Sequence, residues 1–124
     1  LTLLFAAAAS GRLTFPTGAI VFLEDVGEAS YRVDRMVTAL VQSGAFDQVS
    51  GLVVGTFTDC SAGQHGVDVY DVLHERLLRT GVPVYAGLPV GHGLDNAPLP
   101  LGAPARLGDD ALWLNPARAG PSVE

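Results

Sequence analysis

Two adjacent carboxylates, Glu24 and Asp25, follow directly on the apolar run Gly18-Ala19-Ile20-Val21-Phe22-Leu23. Far downstream, His92 stands between Gly91 and Gly93, where the missing side chains let backbone and ligand approach closely. A carboxylate leaving a buried strand is costly to desolvate unless something pairs with it. His92 is the best partner for Glu24 in the chain. A histidine–carboxylate pair of this kind suits acid–base work beside a nucleophile, and a nucleophile to complete the set is missing. The structural alternative is that Glu24 or Asp25 caps a loop or pairs with Arg32 or Arg35.

The other polar candidates carry less. His65 lies in a glycine-flanked loop and His74 near Glu75, and both read as solvated. Cys60 has no basic neighbour to lower its thiol pKa and reads as structural. No H-x-x-x-H or C-x-x-C spacing occurs, so no metal site is expected, although Glu24, Asp59 and His92 together keep a metal-dependent hydrolase open as a third reading. The segment Gly87–Gly93 has no lysine and does not fit a phosphate loop. None of Ser10, Ser30, Ser43, Ser50, Ser61 and Ser122 lies in a G-x-S-x-G nucleophile elbow.

The elements that must position these residues alternate along the chain. Leu1 to Ala9 is expected to be the last turns of a helix that starts upstream. It has no charged n-region and is too short to span a bilayer. The run from Gly18 predicts a strand buried on both faces, with Glu24 and Asp25 at its carboxyl end. Ser30 is the expected N-cap of a helix, with Asp34 in its first turn, Val33, Met36, Val37, Leu40 and Val41 on one face and Gly44 closing it. Gly51 to Phe57 predicts a second strand, ending in Thr58-Asp59-Cys60. Asp68 caps a second helix with Val69, Val72, Leu73 and Leu77 inward, Gly81 ends it, and Val82 to Ala86 is a third strand. Right-handed crossovers make the three strands parallel and align their carboxyl ends on the edge where ligands collect in α/β sheets. Leu99–Gly102, Ala105–Leu107 and Leu112–Leu114 are short strand candidates, and the last two flank the turn Gly108-Asp109-Asp110 as an antiparallel hairpin. The fold class is therefore α/β, a parallel βαβαβ core with an appended hairpin.

The totals agree. The 124 residues fit one domain, and 48% are apolar, so the chain can bury a core. The net charge is −6, with seven arginines, no lysine and no basic stripe, which argues against nucleic acid. One cysteine rules out an internal disulfide framework and suits a reducing cytoplasm.

Taken together and in order, Ile20-Val21-Phe22-Leu23-Glu24-Asp25-Val26-Gly27-Glu28, Tyr31-Arg32-Val33-Asp34-Arg35-Met36, Gly51-Leu52-Val53-Val54-Gly55-Thr56-Phe57, Gly87-Leu88-Pro89-Val90-Gly91-His92-Gly93 and Leu99-Pro100-Leu101-Gly102 closely resemble the C-terminal domain of the LD-carboxypeptidases. These serine peptidases include muramoyltetrapeptide carboxypeptidases and the related microcin-immunity peptidases. The resemblance implies a swivelling β/β/α-type domain over residues 18–116, preceded by an interdomain linker at 1–17 and followed by a tail at 117–124. It implies a Ser-His-Glu triad split between two domains, with Glu24 and His92 here and the serine and oxyanion donors in an N-terminal domain. The implied substrate is the peptide stem of cell-wall muropeptides, cut between a dibasic residue and a terminal D-alanine, with no cofactor. The expected partners are that N-terminal domain and the muropeptide, with a second copy of the chain as a further candidate and neither nucleic acid nor membrane. The rival reading is a truncated, catalytically inactive binding or assembly domain.

Overall fold

The computed structural model describes residues 1–115. The expected tail at 117–124, and the last residue of the expected domain, lie outside them. The elements run α1 (Thr2–Ala9), β1 (Ile20–Val26), α2 (Ser30–Gln42), β2 (Gly51–Thr58), α3 (Val69–Leu78), β3 (Val84–Ala86), β4 (Ala105–Leu107) and β5 (Leu112–Leu114). β1, β2 and β3 form one parallel sheet in that order, and β4 and β5 form a separate antiparallel ladder. Leu99–Gly102, a strand candidate by composition, joins no sheet among the described residues: Pro100 has no amide to donate, and the chain turns at Leu101 and Gly102.

The helices pack against one face of the sheet. Val33, Met36, Val37 and Leu40 of α2 and Val69, Leu73 and Leu77 of α3 close over Val21, Leu23, Leu52 and Val54, while Leu4, Phe5 and Ala8 of α1 and Phe15 press on the same core. Phe15 stacks on Phe46, ring centroids 6.2 Å apart. Burying this apolar surface is the main stabilising contribution. The helices α2 and α3 also meet through Asp34 and Arg76, Oδ1 to Nε 2.6 Å.

The helix ends divide between expectation and surprise. The Asp68 side chain caps α3 by accepting the Tyr70 amide at 2.7 Å, and Gly44 and Gly81 follow the ends of α2 and α3 with positive φ. Ser30, in contrast, is not the N-cap of α2. That position is Ala29, and Ser30 is buried one residue further in, its hydroxyl donating to the Ala62 carbonyl (3.0 Å) and its amide to the Ser61 carbonyl (2.8 Å). The serine ties the start of α2 to the loop after β2, a long-range partner that no local capping rule anticipates. Asp34 correspondingly reaches across to α3 instead of serving the first turn.

The opposite face of the sheet is covered thinly. Leu107 of β4 lies over Gly51, and the hairpin packs beside β1, giving a helix, sheet and hairpin layering. Arg106 sits over the Trp113 ring, 4.4 Å from its centroid, across the hairpin. Full burial on both faces therefore holds through the first five residues of β2 and not for β1, whose Val21, Leu23 and Asp25 are buried while Ile20, Phe22 and Glu24 are only partly covered. No helix among the described residues is long and apolar enough to cross a membrane.

Candidate functional site

Glu24 and Asp25 lie within β1, whose ladder runs on to Val26, rather than beyond its end. Because side chains alternate along a strand, the two carboxylates point to opposite faces. Asp25 faces the helices. Its Oδ2 accepts the Thr2 amide and hydroxyl, both at 2.8 Å, at the start of α1, and its Oδ1 accepts the Val26 amide at 2.9 Å. Burial pushes this carboxyl up, but those hydrogen bonds outweigh it and hold it below the usual carboxylate range. Asp25 is a structural carboxylate. Neither it nor Glu24 pairs with Arg32 or Arg35; Arg32 faces Glu28, 3.6 Å away.

Glu24 points to the thinly covered face, and there it meets His92. Their Oε2 and Nδ1 atoms are 2.7 Å apart, with the glutamate side chain a quarter exposed and the histidine about half exposed. A carboxylate only accepts, so the contact requires the proton on Nδ1 and leaves Nε2 as the basic nitrogen. Nε2 has no partner among the described residues. One ring nitrogen is therefore anchored and the other is open to a proton from solvent or a second molecule.

The local sequence explains how two residues so distant converge. The β1–β2 ladder pairs Leu23 with Val54 and Asp25 with Phe57, so Gly55 and Thr56 together oppose Glu24. This is a bulge in β2. It restores Phe57 to the helix-facing core, where its ring meets Tyr70 edge-on at 6.1 Å, and brings Gly55 and Thr56 against the loop after β3. Only glycine fits at 55, because a Cβ there would collide with the Val90 carbonyl and the Phe22 ring. The loop closes over this point with Val90 buried and His92 two residues on.

The remaining candidates stay apart from this pair. His65 and His74 are exposed on the loop before α3 and on α3 itself. Asp59 has a left-handed backbone (φ 52°), and no group of three His, Cys, Asp or Glu among the described residues is placed to hold a metal ion. Burial pushes the Cys60 thiol up, with Asp25, Glu28 and Asp59 adding to the effect, so it is a poor nucleophile. The hydroxyls of Ser10, Ser30, Ser43 and Ser50 donate to backbone carbonyls, and no described serine bonds to His92. Thr56 and Asn96, which hold the loop, escaped the reading of the sequence. The glycine inside an otherwise apolar strand was the available signal for a bulge.

A parallel α/β sheet under helices, carrying an anchored imidazole on its other face, defines a domain equipped for acid–base chemistry. Residues 1–107 match the family model described as the LD-carboxypeptidase C-terminal domain, and the chain belongs to that family. It is 48% identical over 98 residues to a Synechocystis protein bearing a carboxypeptidase name, covering 77% of this chain and 33% of that one. The murein tetrapeptide carboxypeptidase of Pseudomonas aeruginosa is 36% identical over 104 residues, 83% of this chain and 34% of that one. Among solved structures, muramoyltetrapeptide carboxypeptidase from Oxalobacter formigenes superposes with a TM-score of 0.78 at 34% identity, covering 91% of this chain and 41% of that one. The microcin C7 self-immunity protein MccF gives 0.52 at 28% identity, over 60% of this chain and 22% of that one. The chain thus spans about a third of the length of the curated relatives it matches.

Proposed function

We propose that this chain supplies the general base and its orienting carboxylate to a serine-type LD-carboxypeptidase. His92 Nε2 takes the proton of a serine hydroxyl as that oxygen attacks the scissile carbonyl, then gives it to the departing amine. Glu24 keeps the imidazole in the required tautomer and stabilises the imidazolium in between. The serine and the oxyanion donors come from an N-terminal domain joined through residues 1–17. The substrate is a murein tetrapeptide stem, from which the terminal D-alanine is released, in the cytoplasm and with no cofactor.

The observation that carries this reading is the 2.7 Å contact of Nδ1 with Glu24, which leaves Nε2 free on an open face. The names of the P. aeruginosa and O. formigenes relatives support the substrate class. The test is D-alanine release from a tetrapeptide by an enzyme containing this chain and the upstream domain. The variant His92→Ala is expected to lose about 10³-fold or more in kcat. Unchanged release would favour a binding or assembly module instead.

A further inference from the structure

The His92 side chain is half exposed, so its own packing does little to fix where the imidazole sits. Its backbone is held instead, from two sides. The Thr56 amide donates to the Val90 carbonyl at 2.8 Å and the Thr56 hydroxyl donates to the same oxygen at 3.1 Å. Across the loop, Asn96 Oδ1 accepts the Gly91 amide at 3.1 Å, and the Ala97 amide donates to the Pro89 carbonyl at 2.9 Å. Gly91 lies in the vice between them. With φ of 138°, its backbone passes so close that a Cβ would collide with the Thr56 hydroxyl and come within 3.3 Å of Glu24 Oε2.

We propose that Thr56 and Asn96 are positioning residues that hold the Val90–His92 backbone so that His92 Nδ1 meets Glu24. Neither touches a reacting atom; each acts through His92. The bulge makes this possible, because it is the extra residue in β2 that brings Thr56 to the loop on the side of Glu24. A hydroxyl and an amide converging on one carbonyl also resist sliding of the loop better than either alone, since both bonds must be lost together. The consequence for catalysis rests on the function proposed above; the geometric claim does not.

The experiment has two readouts. In the 124-residue chain, long-range proton–nitrogen NMR at a pH where the imidazole is neutral reports which His92 nitrogen carries the proton. Wild type and Thr56→Ser should show the single Nδ1–H tautomer, whereas Thr56→Val, which replaces the hydroxyl with a methyl, and Asn96→Ala should show an averaged mixture. In the enzyme containing the upstream domain, Thr56→Val should lower kcat by about 10²-fold with KM little changed, and Thr56→Ser should restore most of it. A folded Thr56→Val chain with the wild-type tautomer and kcat would overturn the proposal. Should that variant unfold, Asn96→Ala, at the exposed surface, decides by the same tautomer signal. A tautomer that averages without loss of kcat would uphold the positioning role and sink His92 as the base.

Discussion

At the scale of single residues, the two neighbouring carboxylates separate cleanly by face. Asp25 spends its hydrogen-bonding capacity on the start of α1, and Glu24 keeps an oxygen for a histidine 68 residues away. If Glu24 acts only by orienting His92, their losses cannot add. In the enzyme with its upstream domain, Glu24→Gln should lower kcat by about 10²–10⁴-fold, because the amide no longer demands an Nδ1–H donor. The double variant Glu24→Gln/His92→Ala should be no worse than His92→Ala alone. Additive losses in D-alanine release would assign Glu24 a separate role.

Among the elements, β2 is the one on which the others depend. Its early residues form the two-sided core, and its bulge sets both the burial of Phe57 and the closeness of the His92 loop. Gly55→Ala should therefore be destabilising by about 1–3 kcal/mol through overpacking, seen as a lower urea midpoint with an unchanged slope. Leu23→Ala, at a fully buried site, should cost about 2–5 kcal/mol. The α2–α3 pair is a different matter. The Arg76 guanidinium bonded to Asp34 holds that carboxyl below its ordinary value, against a smaller opposing effect of burial. A depressed carboxyl stabilises the fold fully above its unfolded value, about 3.9, and the gain is lost as pH falls through the lower folded value. Asp34→Asn should thus reduce stability at neutral pH and flatten its decline below about pH 4. The Asp34 side chain is about a third exposed, so solvent screening keeps the effect under about 1 kcal/mol. Urea midpoints across that pH range measure it; an identical acid limb in wild type and variant would remove Asp34 as the cause.

For the molecule as a whole, the proposed reaction needs more than these residues. No described serine reaches His92, and the loop that carries it presents Leu94 fully to solvent. The 124-residue chain by itself is therefore expected to release no D-alanine from a tetrapeptide. A separately expressed upstream domain should bind it and restore some release, with Leu94→Asp weakening that binding in sedimentation or calorimetry. Release by the chain alone, abolished in His92→Ala, would show that a nucleophile is already present. A clean monomer indifferent to the added domain would place the partner surface elsewhere.

Local chemistry written into the sequence determined the elements. Apolar spacing placed α2 and α3, Asp68 capped a helix, alternating strands and crossovers made a parallel sheet, and the ordered motifs pointed to the family that the comparisons show. Glu24 and His92 could be singled out because a carboxylate at a strand end and a glycine-flanked histidine are locally conspicuous. Tertiary structure alone decided what those residues face. Strand periodicity predicts that Glu24 and Asp25 diverge, but which of them lies under the helices depends on packing. The capping role of Ser30 was lost to a carbonyl 32 residues away. The bulge at Gly55-Thr56 arises because Phe57 must return to the core while the His92 loop presses on the other face. Both are long-range demands on one strand, and no window of sequence around it contains them.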